Sequence, residues 1–180
     1  MATIRIVILL LTASVMTSFT VLPRKIDVNK LPFFFENPRT GMHIAIFIGT
    51  DCPISQKYGH TLRELRETYP DINIYGIIPK NFTREQIRDF KNDYRIPFNF
   101  YYDSGNRVAK EFEATITPEV FLFDNQGNVY YSGAIDNWFY ELGRNRKEPT
   151  ELYLVNAIEQ ALKMETITIQ KTDAVGCLIE

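Results

Sequence analysis

Cys52 lies in Phe47-Ile48-Gly49-Thr50-Asp51-Cys52-Pro53-Ile54-Ser55, where an apolar run ends and an amphipathic helical pattern begins. A helix start offers unpaired backbone N–H groups and the positive end of the macrodipole, which can lower a cysteine pKa by about a unit or more. Asp51 pulls the other way, because a neighbouring carboxylate disfavours a second negative charge. A second thiol, Cys177, stands 177 − 52 = 125 positions later in Ala174-Val175-Gly176-Cys177-Leu178-Ile179. Three positions after Cys52, one helical turn on, is Ser55, which cannot resolve a mixed disulfide. Ser55 either donates a hydrogen bond to the thiolate or fills the first helical turn. The two thiols also admit bland readings. They form a permanent staple worth about 3–5 kcal/mol by loop closure, or Cys177 is a small buried hydrophobe.

These residues are positioned by elements readable from periodicity. His43 to Gly49 is a short apolar run of the fully buried strand kind. Ile54, Tyr58, Leu62, Leu65 and Tyr69 then recur at helical spacing and draw one apolar stripe, stopped by Pro70-Asp71. Ile72 to Ile78 is a second buried strand. Thr83 with Gln86 forms a capping box for a helix whose Ile87, Phe90 and Tyr94 share a face. A strand at Phe98 to Tyr102 and a short helix at Arg107 to Phe112 follow. Pro118 comes just before the buried strand Val120 to Phe123, and the turn Asp124-Asn125-Gln126-Gly127-Asn128 closes a hairpin with Val129 to Ser132. Thr150 is expected to cap a last helix through about Met164, and Thr166 to Ile169 to form an exposed edge strand. The order predicts an α/β fold, a mixed central β-sheet with helices on both faces.

The chain of 180 residues is 45% hydrophobic and 13% aromatic, which suits one compact domain with a sizeable core. A net charge of -2 with no basic stripe argues against nucleic-acid binding. Met1 to Arg5, the apolar run Ile6 to Leu11 and the small-residue stretch to Thr20 have the form of a secretory signal. Residues 1–20 are therefore expected to be a signal peptide and 21–180 the single domain, periplasmic or secreted, where disulfides persist. His43 and His60 lack a clustered carboxylate, so no metal site is expected. Gln56 removes a Cys-x-x-x-Cys pair.

From Phe47 onward the chain resembles exported bacterial redoxin-domain proteins of the alkyl hydroperoxide reductase and thiol-specific antioxidant type, which have a thioredoxin-like fold. The residues that carry the resemblance are Gly49-Thr50-Asp51-Cys52-Pro53, Asp103-Ser104-Gly105-Asn106-Arg107-Val108-Ala109, Thr117-Pro118-Glu119-Val120-Phe121, Tyr131-Ser132-Gly133-Ala134-Ile135-Asp136 and Gly176-Cys177-Leu178-Ile179. The resemblance implies a thiol oxidoreductase with Cys52 as nucleophile and Cys177 as the distant resolving thiol, needing no cofactor. It further implies a cis bond at Pro118, with Thr117 offering its backbone to an extended substrate strand and Thr50 beside it. Glu119 is either a proton acceptor behind the site or a solvated edge residue, and Trp138 either lines the groove or packs its own loop.

The implied partners are an exported dithiol reductant or a protein disulfide substrate, with peroxide as a small-molecule substrate and a homodimer as an assembly. Peroxiredoxins carry a threonine three positions before the reactive cysteine, where this chain has Gly49. Its Phe47-x-x-Thr50-x-Cys52-Pro53 spacing matches thioredoxin-like exported reductases instead, with Asp51 in place of their usual tryptophan. The alternative is a non-catalytic binding module in which Cys52 and Cys177 form a structural disulfide.

Overall fold

In the computed structural model, residues 24–32, 41–79 and 82–180 are described. The expected signal segment, residues 1–20, lies outside them. A five-stranded sheet runs in the order β3-β2-β1-β5-β6, from β1 (Met42–Phe47), β2 (Asn73–Pro79), β3 (Asn99–Asp103), β5 (Glu119–Asp124) and β6 (Val129–Gly133). The pairs β1–β2 and β2–β3 are parallel, whereas β1–β5 and β5–β6 are antiparallel. This is the mixed sheet that the apolar runs predict.

Because strand side chains alternate between faces, a sheet covered on both sides reads as continuous apolar sequence. Ile44 and Ile46 of β1 with Val120 and Leu122 of β5 enter one core. That core takes in α1 (Pro53–Lys57), α2 (Gly59–Thr68), α3 (Arg84–Asp93) and α5 (Tyr153–Leu162). Ala45, Phe47, Phe121 and Phe123 enter the other, beneath α4 (Arg107–Phe112). The stripe from Ile54 to Tyr69 is buried throughout. It belongs to two helical segments rather than one, because the backbone tightens at Tyr58 (ψ -2°) between α1 and α2.

The Thr83–Gln86 capping box is formed, with Thr83 Oγ1 accepting from the Gln86 N–H at 3.2 Å and Gln86 Oε1 from the Thr83 N–H at 2.8 Å. Thr150 does not cap the last helix. Asn137 claims it, donating from Nδ2 to Thr150 Oγ1 and accepting the Thr150 N–H, both at 2.8 Å, and α5 begins only after Leu152. Thr166 to Ile169 is not a strand either. Ile167 alone of these four is buried, and the chain touches the β6 edge just beyond them, through the Ser132–Lys171 bridge.

Two short strand pairs accompany the main sheet. The ribbon β7 (Phe139–Glu141) and β8 (Arg144–Asn145) stands apart, and β4 (Ile116–Thr117) pairs antiparallel with β9 (Cys177–Leu178). No helix among the described residues is long and apolar enough to cross a membrane.

Candidate active site

Strand β1 delivers the chain to Gly49, and a turn closed by the Cys52 N–H on the Gly49 carbonyl (3.2 Å) sets Cys52 at the mouth of α1. Across from it the Thr117-Pro118 peptide bond is cis. Cys52 donates its S–H to the Thr117 carbonyl at 3.1 Å, so the two segments singled out in the sequence meet at one point. Gly49 explains the missing threonine of the peroxiredoxin pattern. A Cβ at position 49 would lie 2.8 Å from Thr117 Oγ1 and 3.2 Å from Cys52 Cβ, so the Thr117 side chain already fills that space.

Cys177 reaches the site from the far end of the chain. In the β4–β9 pair it stands opposite Thr117, which donates from Oγ1 to the Cys177 carbonyl at 3.3 Å. Its own S–H donates to Cys52 Sγ at 2.8 Å, with both cysteines as free thiols. Gly176 makes this approach possible. A Cβ there would fall 2.1 Å from the Thr117 oxygen and 2.7 Å from its carbonyl carbon, backbone atoms that cannot swing aside.

The environment separates the two sulfurs electrostatically. Burial pushes the Cys52 thiol up, but the Cys177 S–H and the backbone N–H groups of Ser55, Ile54 and Cys177 outweigh it and hold Cys52 below the ordinary cysteine value. Cys177 is pushed up to about 12, first by burial, then by its hydrogen bond to Cys52, the Cys52 charge and the Asp51 charge. Asp51 thus acts on Cys177. Cys177→Ala removes a donor to the Cys52 sulfur and is expected to raise the Cys52 pKa, visible as a thiolate absorbance step moved to higher pH. An unmoved step would show that the backbone N–H groups alone set it.

Cys52 has no solvent exposure, whereas Cys177 is partly open. A groove of about 610 Å³ beside them is lined by Thr117, Gly176, Cys177 and Leu178 together with Asp51 and Phe82. Thr50 is not part of that lining. It opens on a separate cavity of about 310 Å³ shared with Gln56 and Gln86, and its carbonyl accepts from Gln56 Nε2 at 3.0 Å. Ser55 is buried, and its hydroxyl has no hydrogen-bond partner among the described residues, which favours its filling the helical turn.

Glu119 is half-buried rather than a solvated edge residue. Its Oε2 accepts the N–H groups of Thr115 (2.9 Å) and Ile116 (3.2 Å), fixing the segment that faces Cys177, and burial lifts its carboxyl above the usual range. Trp138 packs edge-on against Tyr58 and donates to the Arg146 carbonyl (2.9 Å), which is the loop-packing reading. Sequence reasoning missed buried Asp136, which accepts from the Tyr58 hydroxyl at 2.5 Å. No group of His, Cys, Asp or Glu side chains suited to hold a metal occurs among the described residues.

The AhpC/TSA family model matches residues 39–132, which include Cys52 and Pro118. Among solved structures, a conserved protein of Geobacillus kaustophilus is 21% identical with a TM-score of 0.70, over 78% of this chain and 77% of that one. A hypothetical protein of Sinorhizobium meliloti is 23% identical with a TM-score of 0.70, over 78% and 79%. A thioredoxin candidate from Neisseria meningitidis is 17% identical with a TM-score of 0.54, over 69% and 76%, and shares the thioredoxin-like fold. The search of curated proteins finds no match.

Proposed function

This chain belongs to the AhpC/TSA family, and from that premise we propose that it is a thiol–disulfide oxidoreductase whose working couple is Cys52 and Cys177. The observation that carries the reading is the 2.8 Å approach of Cys177 Sγ to Cys52 Sγ, with the Cys52 pKa lowered and the Cys177 pKa raised. The Cys52 thiolate attacks one sulfur of a substrate disulfide, forms a mixed disulfide and expels the other sulfur as a thiolate. Two of the causes that raise Cys177 are its hydrogen bond to Cys52 and the Cys52 charge, and both vanish once Cys52 is in the mixed disulfide. Cys177 then loses its proton more easily and attacks Cys52 Sγ, releasing the substrate as a thiol. The substrate gains two electrons and the protein keeps the Cys52–Cys177 disulfide, which an exported dithiol partner reduces again.

Both thiols come from one chain, so the couple is complete in a single copy. Thr117 and Pro118 form the cradle, Glu119 holds its far side, and Thr50 contributes through the turn that presents Cys52. Peroxide reduction is the second reading. Complete burial of Cys52 favours it, since a small oxidant enters where a protein does not. The test is to oxidise the reduced chain with a slight excess of oxidised glutathione or of hydrogen peroxide, with and without dimedone, and to read both cysteines by peptide mass. Glutathione-driven formation of the internal disulfide without dimedone labelling is the expected result. Rapid dimedone capture of a Cys52 sulfenic acid under peroxide would transfer the assignment to peroxide reduction. Inertness of Cys52 to both oxidants would defeat either reading.

A further inference from the structure

The described C-terminal segment is tied at one point and docked at another. The tie is Thr172. Its N–H donates to the Ser132 carbonyl at 3.0 Å, and its hydroxyl is bonded to the Tyr131 hydroxyl at 2.6 Å and to the Ala134 N–H at 3.0 Å. The dock is the Thr115–Thr117 edge, where Cys177 and Leu178 pair with Thr117 and Ile116 and the Ile179 N–H donates to the Thr115 carbonyl at 2.8 Å.

The pairing itself is backbone to backbone and Leu178 leaves 75% of its surface exposed, while Val175 and Ile179 pack on the two cores and Asn106 Nδ2 donates to the Glu180 carbonyl at 2.6 Å. An extended segment of another protein offers the same backbone groups. The tail adds two demands of its own. The residue before the cysteine must lack a Cβ, as Gly176 shows, and the cysteine itself stands opposite Thr117 with its sulfur on Cys52.

We propose that residues 176–179 are a tethered competitor for the Thr115–Thr117 edge, and that an extended partner segment taking their place there must bear glycine immediately before its reactive cysteine. The inference rests on Cys52 as the nucleophile of a disulfide exchange and adds the kind of sequence that reaches it. While the tail is docked the edge is closed to partners. When it lifts about Thr172, a partner strand takes its place in the same register. The Cys52 thiolate attacks the partner cysteine sulfur, the new S–S bond forms, and the group that had been disulfide-bonded to that cysteine leaves as a thiolate.

The test uses the full chain in two forms, Cys177→Ser and the double variant Gly176→Val with Cys177→Ser. In the double variant the new side chain meets the Thr117 backbone and undocks the tail without deleting it. The probes are an eight-residue peptide with the sequence of residues 173–180, its cysteine carried as a mixed disulfide with thionitrobenzoate, and the same peptide with valine before the cysteine. The mixed disulfide of free cysteine with thionitrobenzoate is the third probe.

The double variant is expected to release thionitrobenzoate from the glycine peptide at least about tenfold faster than Cys177→Ser, and at least about tenfold faster than from the valine peptide, each tenfold being 1.4 kcal/mol. Equal rates in the two proteins, or for the two peptides, would overturn the proposal. The small probe separates the premise from the inference. If it too fails to react with either protein, Cys52 is not a nucleophile and the underlying reading falls. If it reacts while the peptides are not distinguished, only the tail's competition and the glycine requirement fall.

Discussion

Cys52→Ser is expected to abolish the internal disulfide and to slow turnover of a small disulfide by about three orders of magnitude or more, the scale of nucleophile removal. The cause is chemical: a hydroxyl in the same position has no accessible anion near neutral pH. Cys177, left alone, is still pushed up by burial and the Asp51 charge, and lacks the placement to substitute. Removing the Cys52 charge relieves part of that rise, so the remaining thiol becomes more acidic without gaining the position across from the Thr117 carbonyl. Cys177→Ser has a different signature. Cys52 still captures one glutathione, and the adduct then accumulates because nothing resolves it. The pair of variants is read by intact mass after oxidised glutathione is added. Turnover surviving in Cys52→Ser would place the chemistry elsewhere, and a Cys177→Ser protein that turns over normally would remove Cys177 from it.

Phe112→Ala is expected to lower the unfolding free energy by about 3–5 kcal/mol, the range for emptying a fully buried aromatic site. Phe112 has no exposed surface, and its ring meets Phe47, Phe121 and Phe123 at centroid distances of 5.7, 5.0 and 5.4 Å. Those partners belong to β1, which leads into Cys52, and β5, which follows Pro118. The cluster therefore holds together the two strands that carry the site, from the sheet face opposite α1 and α2. Urea unfolding should show the midpoint falling with the slope unchanged. The thiolate step of Cys52 should not move, because none of the groups that set it touches Phe112. A loss below about 1 kcal/mol, the scale of an ordinary substitution, would mean that the second core is not what joins β1 to β5.

Most of the frame was legible because its signals are local. Ile54, Tyr58, Leu62, Leu65 and Tyr69 announce a buried helical face, Thr83 and Gln86 a helix start, and the runs around Ile44, Ile74 and Val120 a sheet covered on both sides. The failures share one cause, long-range partners that outbid a local preference. Thr150 has the type of a helix cap, yet Asn137 takes both its hydroxyl and its N–H. Thr166 to Ile169 alternates like a strand, yet only Ile167 finds a core. The ribbon β7–β8 and the pair β4–β9 are two or three residues a strand, too short to leave a period.

At the site, Cys52 and Pro118 could be paired by resemblance. The meeting with Cys177 could not be read from spacing, because it depends on Gly176 fitting against the Thr117 carbonyl. Thr50 has a suitable side chain beside Cys52, but the turn faces it to another cavity. Glu119 was ambiguous in sequence because a carboxylate near a strand end is usually solvated. Its two backbone N–H partners appear only once the chain folds back at Thr115.

The central claim is that Cys52 and Cys177 are one two-electron couple, and the direct measurement is an equilibrium titration of the full chain through a series of reduced and oxidised glutathione mixtures, quenched with acid and read by intact and peptide mass. The account predicts one transition in which both thiols disappear together into the internal disulfide, with a slope of about 30 mV per tenfold change as a two-electron couple requires. A glutathione adduct persisting on Cys52 while Cys177 stays reduced across the series would contradict it. So would a disulfide that no mixture in the series can open, which is the behaviour of a structural staple.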